Sequence, residues 1–119
     1  MPKVTNERTD FLLVSELKEK LNLEYITKGD KDNEISGCYI GDMLSVVMSR
    51  AEENAVWLTV QTNVNITAVA VLARLACIII VDGMELQEDT LKKANEQGIS
   101  ILKTDKTAYE TACLINALL

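Results

Sequence analysis

Residues Ala76 to Gly83 read Ala-Cys-Ile-Ile-Ile-Val-Asp-Gly, and no other stretch constrains the fold so strongly. The apolar run does not alternate, is β-branched at Ile78, Ile79, Ile80 and Val81, and stops at Asp82-Gly83. A strand of this kind is covered on both faces, which is the situation at the centre of a parallel sheet. Burying one Ile side chain is worth roughly 1.5–3 kcal/mol, so a charge at Ile79 is expected to be among the most damaging substitutions. The run carries no nucleophile, base or metal ligand.

Around this strand the chain divides into short elements. Leu13, Leu17 and Leu21 predict an amphipathic helix from about Val14 to Leu21, with Ser15 as its N-cap. Leu23–Thr27 and Ile35–Ile40 are strand candidates, separated by the turn-prone Lys28–Asn33. Gly41-Asp42 forms the corner into a helix over Met43–Ala51, with Asp42 as its cap. Ala55–Val60 is an apolar strand, followed by the polar corner Gln61–Asn65 and a helix over Ile66–Leu75 capped by Asn65. After the strand Cys77–Val81, Asp82-Gly83 turns the chain and a helix spans Glu88–Gln97, with Leu91 and Ala94 inward and Gly98 as a left-handed C-terminal cap. Ile99–Lys103 is the last strand, and Thr104–Thr107 leads into a final helix ending near Leu119.

Strand, polar corner and helix thus recur from Ala55 onward, with Trp57, Ile78 and Ile99 equally spaced. Right-handed crossovers turn such repeats into a parallel sheet with helices on both faces. The expected fold is therefore a three-layer α/β/α sandwich with a mostly parallel sheet of about five strands. Its 119 residues suit a single domain over residues 11–119. The polar residues 1–10 are expected to form a flexible N-terminal arm.

Composition excludes several functions. The net charge of −6 disfavours attraction to phosphate backbones, so no nucleic acid is expected as a partner. No apolar run approaches the roughly 20 residues of a membrane span, and the N-terminus lacks a signal-peptide core, so a cytoplasmic protein is expected. Cys38, Cys77 and Cys113 are widely spaced among apolar residues and predict reduced, packed thiols. The chain contains no His, which removes the commonest general base and metal ligand. It has no G-x-G-x-x-G and no G-x-x-x-x-G-K-[ST], the glycine loops that bring backbone N–H groups onto phosphates. Asp42, Asp82 and Asp105 are acidic enough to attract Mg²⁺, but acidic residues at helix starts are usually caps. No enzyme activity, cofactor or metal is expected; acid–base chemistry by Asp42 or Asp82 is the remaining enzymatic alternative.

Ligands of parallel sheets sit beyond the carboxyl ends of the strands, where helix N-termini carry partial positive charge. The residues there are Asp42, Asn63, Asn65, Asp82, Gly83, Thr104 and Thr107, the candidate edge for a small anionic ligand or nucleotide. The competing reading of each corner is helix capping by Asp42, Asn65 and Thr104, Asp105 or Thr107, with Gly83 relieving backbone strain. The apolar Ile66–Leu75 helix and the apolar C-terminus predict a homodimer.

Several short motifs in order carry a resemblance: Tyr39-Ile40-Gly41-Asp42-Met43-Leu44-Ser45 with Met48, Ala68-Val69-Ala70, Ile78–Gly83, Ala94–Ile99 and Thr107–Ala112. From about Ile35 to its end the chain resembles the DRTGG domain family. Asn63-Val64-Asn65 and Val81-Asp82-Gly83 stand where more typical members have an Arg-bearing segment and Thr-Gly-Gly. The family is similar in fold to the N-terminal domain of HPr kinase/phosphorylase, a module without kinase chemistry. Its members also occur beside cystathionine-β-synthase-type domains in regulated pyrophosphatases and within some phosphotransacetylases. The resemblance implies a non-catalytic regulatory or scaffold module that self-associates or acts on a partner enzyme or regulated protein.

Overall fold

A computed structural model describes residues 11–119, so the arm expected over residues 1–10 lies outside the described residues. The elements are α1 (Val14–Leu21), β1 (Glu24–Thr27), β2 (Gly37–Ile40), α2 (Leu44–Arg50), β3 (Ala55–Thr59), α3 (Asn65–Leu72), β4 (Cys77–Ile80), α4 (Glu88–Gln97), β5 (Ile101–Lys103) and α5 (Ala108–Leu118). The sheet order is β1-β5-β4-β3-β2, so the Ile-rich strand is central, as its composition requires. β2, β3, β4 and β5 run parallel, and β1 joins β5 antiparallel at one edge.

Period-two alternation sends the side chains of one strand to two cores. Val56, Leu58, Cys77, Ile79 and Leu102 pack under α1 and α5 with Leu17 and Ile115. Trp57, Ile78, Ile80 and Ile101 pack on the opposite face with Val47 of α2, Ile66, Val69 and Ala70 of α3, and Ala94 of α4. The result is the three-layer α/β/α sandwich. Ile79 is fully buried, as are Trp57 and Leu58 beside it. On α4 the inward residues are Thr90 and Ala94, whereas Leu91 is only half-buried.

The repeat differs from its sequence reading in one respect. Trp57 and Ile78 are register partners, but Ile78 pairs with Ile101 and not Ile99. The shift comes from the α4–β5 junction. Gly98 takes φ 69 to close the helix, its carbonyl accepts from Asp30 N, and the hydroxyl of Ser100 accepts from Gly29 N at 2.9 Å. These bonds hold Gly98 and the Ser100 side chain, and the ladder to β4 begins at the Ser100 carbonyl, which accepts from Ile78 N at 3.1 Å. The two-residue displacement keeps Ile101 on the same face, so the core survives it.

Three expected caps also change partner. Ser15 lies inside the first turn of α1, and the helix start is held by Asp32, whose Oδ1 accepts from Ser15 N at 2.9 Å while Oδ2 takes the Ser15 hydroxyl. Asn65 begins α3 and is itself capped, donating its N–H to Asn63 Oδ1 at 2.9 Å. Asp42 does not cap α2, whose start has no side-chain cap. Helix α3 ends at Leu72, because Arg74 adopts φ 56 and Leu75 N returns to the Ala70 carbonyl at 3.0 Å. Cys77 is buried and Cys38 half-buried, but Cys113 is exposed on α5, which corrects its reading as a packed thiol.

Candidate functional site

The carboxyl ends of the four parallel strands place all the sequence-predicted site residues along one rim of the sheet, in two groups. The first joins the β2–α2 and β3–α3 corners. Asp42 Oδ1 accepts from the Thr59 hydroxyl at 2.7 Å and from Val60 N at 2.9 Å. Gln61 donates its side-chain amide to the Asp42 carbonyl at 2.9 Å and receives Asn63 Nδ2 at 2.9 Å. Asn63 then accepts from Asn65 N, so Asp42, Gln61, Asn63 and Asn65 form a continuous chain of hydrogen bonds. Thr59 is fully buried; its Oγ1 accepts from Gln61 N at 3.1 Å, and the Asp42 carboxylate is the acceptor for its proton.

The second group joins the ends of β4 and β5. Asp82 and Gly83 have φ 59 and 65, and Met84 N donates to the Val81 carbonyl at 3.3 Å, a type I′ turn. Asp82 N donates to the Lys106 carbonyl at 2.8 Å and Gly83 N to the Thr104 carbonyl at 3.0 Å. A Cβ on Gly83 would lie 2.9 Å from Asp105 Oδ1, so side-chain space and backbone conformation both call for glycine there. Thr104 Oγ1 accepts from Lys106 N at 3.2 Å. Thr107 caps α5 reciprocally with Glu110: its Oγ1 accepts from Glu110 N at 3.1 Å, while its own N–H donates to Glu110 Oε1 at 3.0 Å. The Thr107 N–H and hydroxyl hold the Glu110 carboxyl below its ordinary range.

Val81 N, donating to the Thr59 carbonyl at 3.0 Å, ties the two groups together. Gln61 and Thr59 belong to this rim and were not singled out from the sequence; Asp105, considered there only as an acidic group, joins it beside Gly83. Gln61 sits in the polar corner that was recognised, but its role as a bridge depends on Asp42, far away in sequence.

Beside the second group a hollow of about 230 Å³ is lined by Asn22, Glu24, Lys103, Thr104, Asp105 and Lys106. Its two lysines are balanced by two carboxylates, and Lys103 is further engaged by Glu85 at 2.8 Å, which raises the Lys103 pKa. Among the described residues no three His, Cys, Asp or Glu side chains gather as a metal site. Burial pushes the Cys38 thiol up to about 11 and raises the Cys77 thiol as well, so both are poor nucleophiles. The chemistry on offer at the rim is hydrogen bonding by amides, hydroxyls and backbone groups. No helix among the described residues is long and apolar enough to cross a membrane.

The comparisons with known proteins agree with this architecture. The fold is similar to the crystal structure of the CBS and DRTGG domains of the regulatory region of Clostridium perfringens pyrophosphatase complexed with the activator diadenosine tetraphosphate. That similarity has a TM-score of 0.70 at 13% identity, and covers 86% of this chain and 45% of the other. No curated protein matches the chain. The DRTGG domain family matches residues 16–118, which extends the relationship from the β2–α5 region back through β1 and most of α1. The chain belongs to the DRTGG domain family.

Proposed function

We propose that the chain is a non-catalytic regulatory module that works by self-association or on a partner enzyme. Membership of the DRTGG family over residues 16–118 carries the reading, and the occupation of the rim side chains supports it. Asp42 Oδ1 is committed to Thr59 and Val60, which disfavours it as a general base, and the Asp82 segment is held as a turn by backbone bonds. Light scattering at micromolar concentration tests the association. A dimer is expected; a strict monomer would leave only action on a partner enzyme.

A second reading is that the rim of Asp42, Asn63, Asn65, Asp82, Gly83, Thr104 and Thr107 senses an anionic nucleotide. It is favoured by the activator bound in the structurally similar regulatory region and by Lys106, which lines the hollow at Thr104 and makes no ion pair among the described residues. Thermal unfolding with diadenosine tetraphosphate, adenosine monophosphate or inorganic phosphate tests it. Binding at 100 times Kd adds about 2.7 kcal/mol of stability, and Lys106→Ala should reduce the shift. An unchanged unfolding temperature with all three probes would remove the sensing reading.

A further inference from the structure

The two edges of the sheet are built differently. β1 carries the exposed Glu24, an irregular register between Tyr25 and Thr27, and Lys28 immediately after it, the features that discourage strand addition. β2, Gly-Cys-Tyr-Ile, has no charge, no proline and no bulge, and a Cβ added at Gly37 would meet nothing within 4 Å. Gly41 N donates to the Leu58 carbonyl, so the parallel ladder turns the N–H and C=O of Tyr39 toward β3 and those of Cys38 and Ile40 outward.

Beside this edge α2 presents a stripe at helical spacing. Met43 is 66% exposed and Val46 37% exposed, and Arg50 follows on the same flank. That flank overhangs β2, because Arg50 lines a hollow of about 270 Å³ with Ser36, Gly37, Cys38 and Tyr39. Arg50 makes no ion pair among the described residues. Ile40, 49% exposed, completes an apolar border along the open strand.

We infer that β2 is the self-association edge, pairing antiparallel with β2 of a second copy about a two-fold axis at Tyr39 to give one continuous ten-stranded sheet. The inference rests on the self-association proposed above and names its surface. Tyr39 then faces Tyr39 of the second copy as a non-hydrogen-bonded pair, with Cα atoms about 4.5 Å apart. Cys38 exchanges backbone bonds with the second copy's Ile40, and Ile40 with its Cys38. The same register sets Ser36 opposite Asp42, which brings Arg50 of each copy toward the exposed Asp42 of the other. Two-fold symmetry thus makes an exposed basic and an exposed acidic group complementary at both ends of the interface. The α2 helices lie side by side and antiparallel on the same face, Val46 against its counterpart and Met43 beside the other copy's Arg50.

The outer side of α3 is the rival surface, with Leu72 69% exposed above a groove shared with α4. It offers no unpaired backbone and no matched charge. Sedimentation of the full chain and of Val46→Glu, Arg50→Glu, Ile40→Pro and Leu72→Glu separates the two, with Trp57 emission confirming that each variant is folded. Each substitution at the β2 edge should weaken the dimer by at least about tenfold in Kd, and Leu72→Glu should leave it intact. Amide exchange should show the Cys38 and Ile40 N–H groups protected at high concentration and open on dilution. A dimer that survives Val46→Glu and Ile40→Pro but not Leu72→Glu would overturn this interface while keeping self-association. A wild-type chain that stays monomeric would overturn both.

Discussion

Replacing Asp42 by Ala tests whether its carboxylate is a cross-strand acceptor or a helix cap. In the structure its Oδ1 receives the Thr59 hydroxyl at 2.7 Å and Val60 N at 2.9 Å. Thr59 is fully buried, so Asp42→Ala leaves a hydroxyl without an acceptor, a penalty of about 1–3 kcal/mol. Val60 is only half-buried, and water can replace its lost partner, so it adds little. The expected total is about 2 kcal/mol, or roughly 6–10 °C in Tm for a domain of this size. Asp42→Asn keeps an acceptor oxygen and should cost less than half as much. Urea unfolding followed by the emission of Trp57, the single tryptophan, gives each value.

The double-mutant cycle is the sharper test. In a Thr59→Val background the stranded hydroxyl is gone, so Asp42→Ala should become nearly neutral, with a coupling of about 1–2 kcal/mol. A cap would behave otherwise, because its target N–H groups on α2 are untouched by Thr59→Val. Additivity of the two substitutions to within about 0.5 kcal/mol would refute the cross-strand role.

Ile79→Lys places an ammonium where Ile79 is wholly enclosed on the central strand, and should unfold the domain or cost more than about 4 kcal/mol; a cooperative Trp57 transition at wild-type urea concentration would contradict the packing. Gly98→Ala should destabilise by more than about 1 kcal/mol, because Gly98 has φ 69 and a Cβ there would overlap the Asp30 carboxylate; Gly37→Ala, which meets open space, is the matched control. The Glu110 carboxyl titrates lower in the folded protein than in the unfolded chain, so its stabilising cap is fully present above the unfolded pKa. That contribution is lost as pH falls through the folded pKa. Thr107→Ala should remove this part of the acid dependence in pH-resolved unfolding, and an unchanged profile would contradict the capping box.

What could be read before the structure was the part governed by burial and period. Ile78 to Val81 is apolar without alternation because both its faces are covered, and that alone places it at the centre of the sheet. The α4 terminus was legible because Gly98 is the residue that a left-handed cap prefers. The caps of α1, α2 and α3 were not, since Ser15, Asp42 and Asn65 are all good cap residues by type. What decides their partners is tertiary: Asp32 arrives from a distant loop, Thr59 lies under the Asp42 corner, and Asn63 reaches Asn65 first. The equal spacing of Trp57, Ile78 and Ile99 was real in the sequence but not in the register. The Gly29–Asp30 loop interlocks with the residues after α4, and the Ile101 pairing follows from that contact. For the same reason the rim residues could be located from strand ends, whereas the Gln61 bridge could not.

The central claim is that this DRTGG chain regulates by associating through an open sheet edge and without catalysis of its own. Light scattering of the full chain across micromolar concentrations, with Val46→Glu beside it, tests the association most directly. The account predicts a wild-type mass twice that of the 13.2 kDa chain and a monomeric Val46→Glu. A wild-type mass of one chain throughout the range, or a Val46→Glu dimer as tight as wild type, would contradict it.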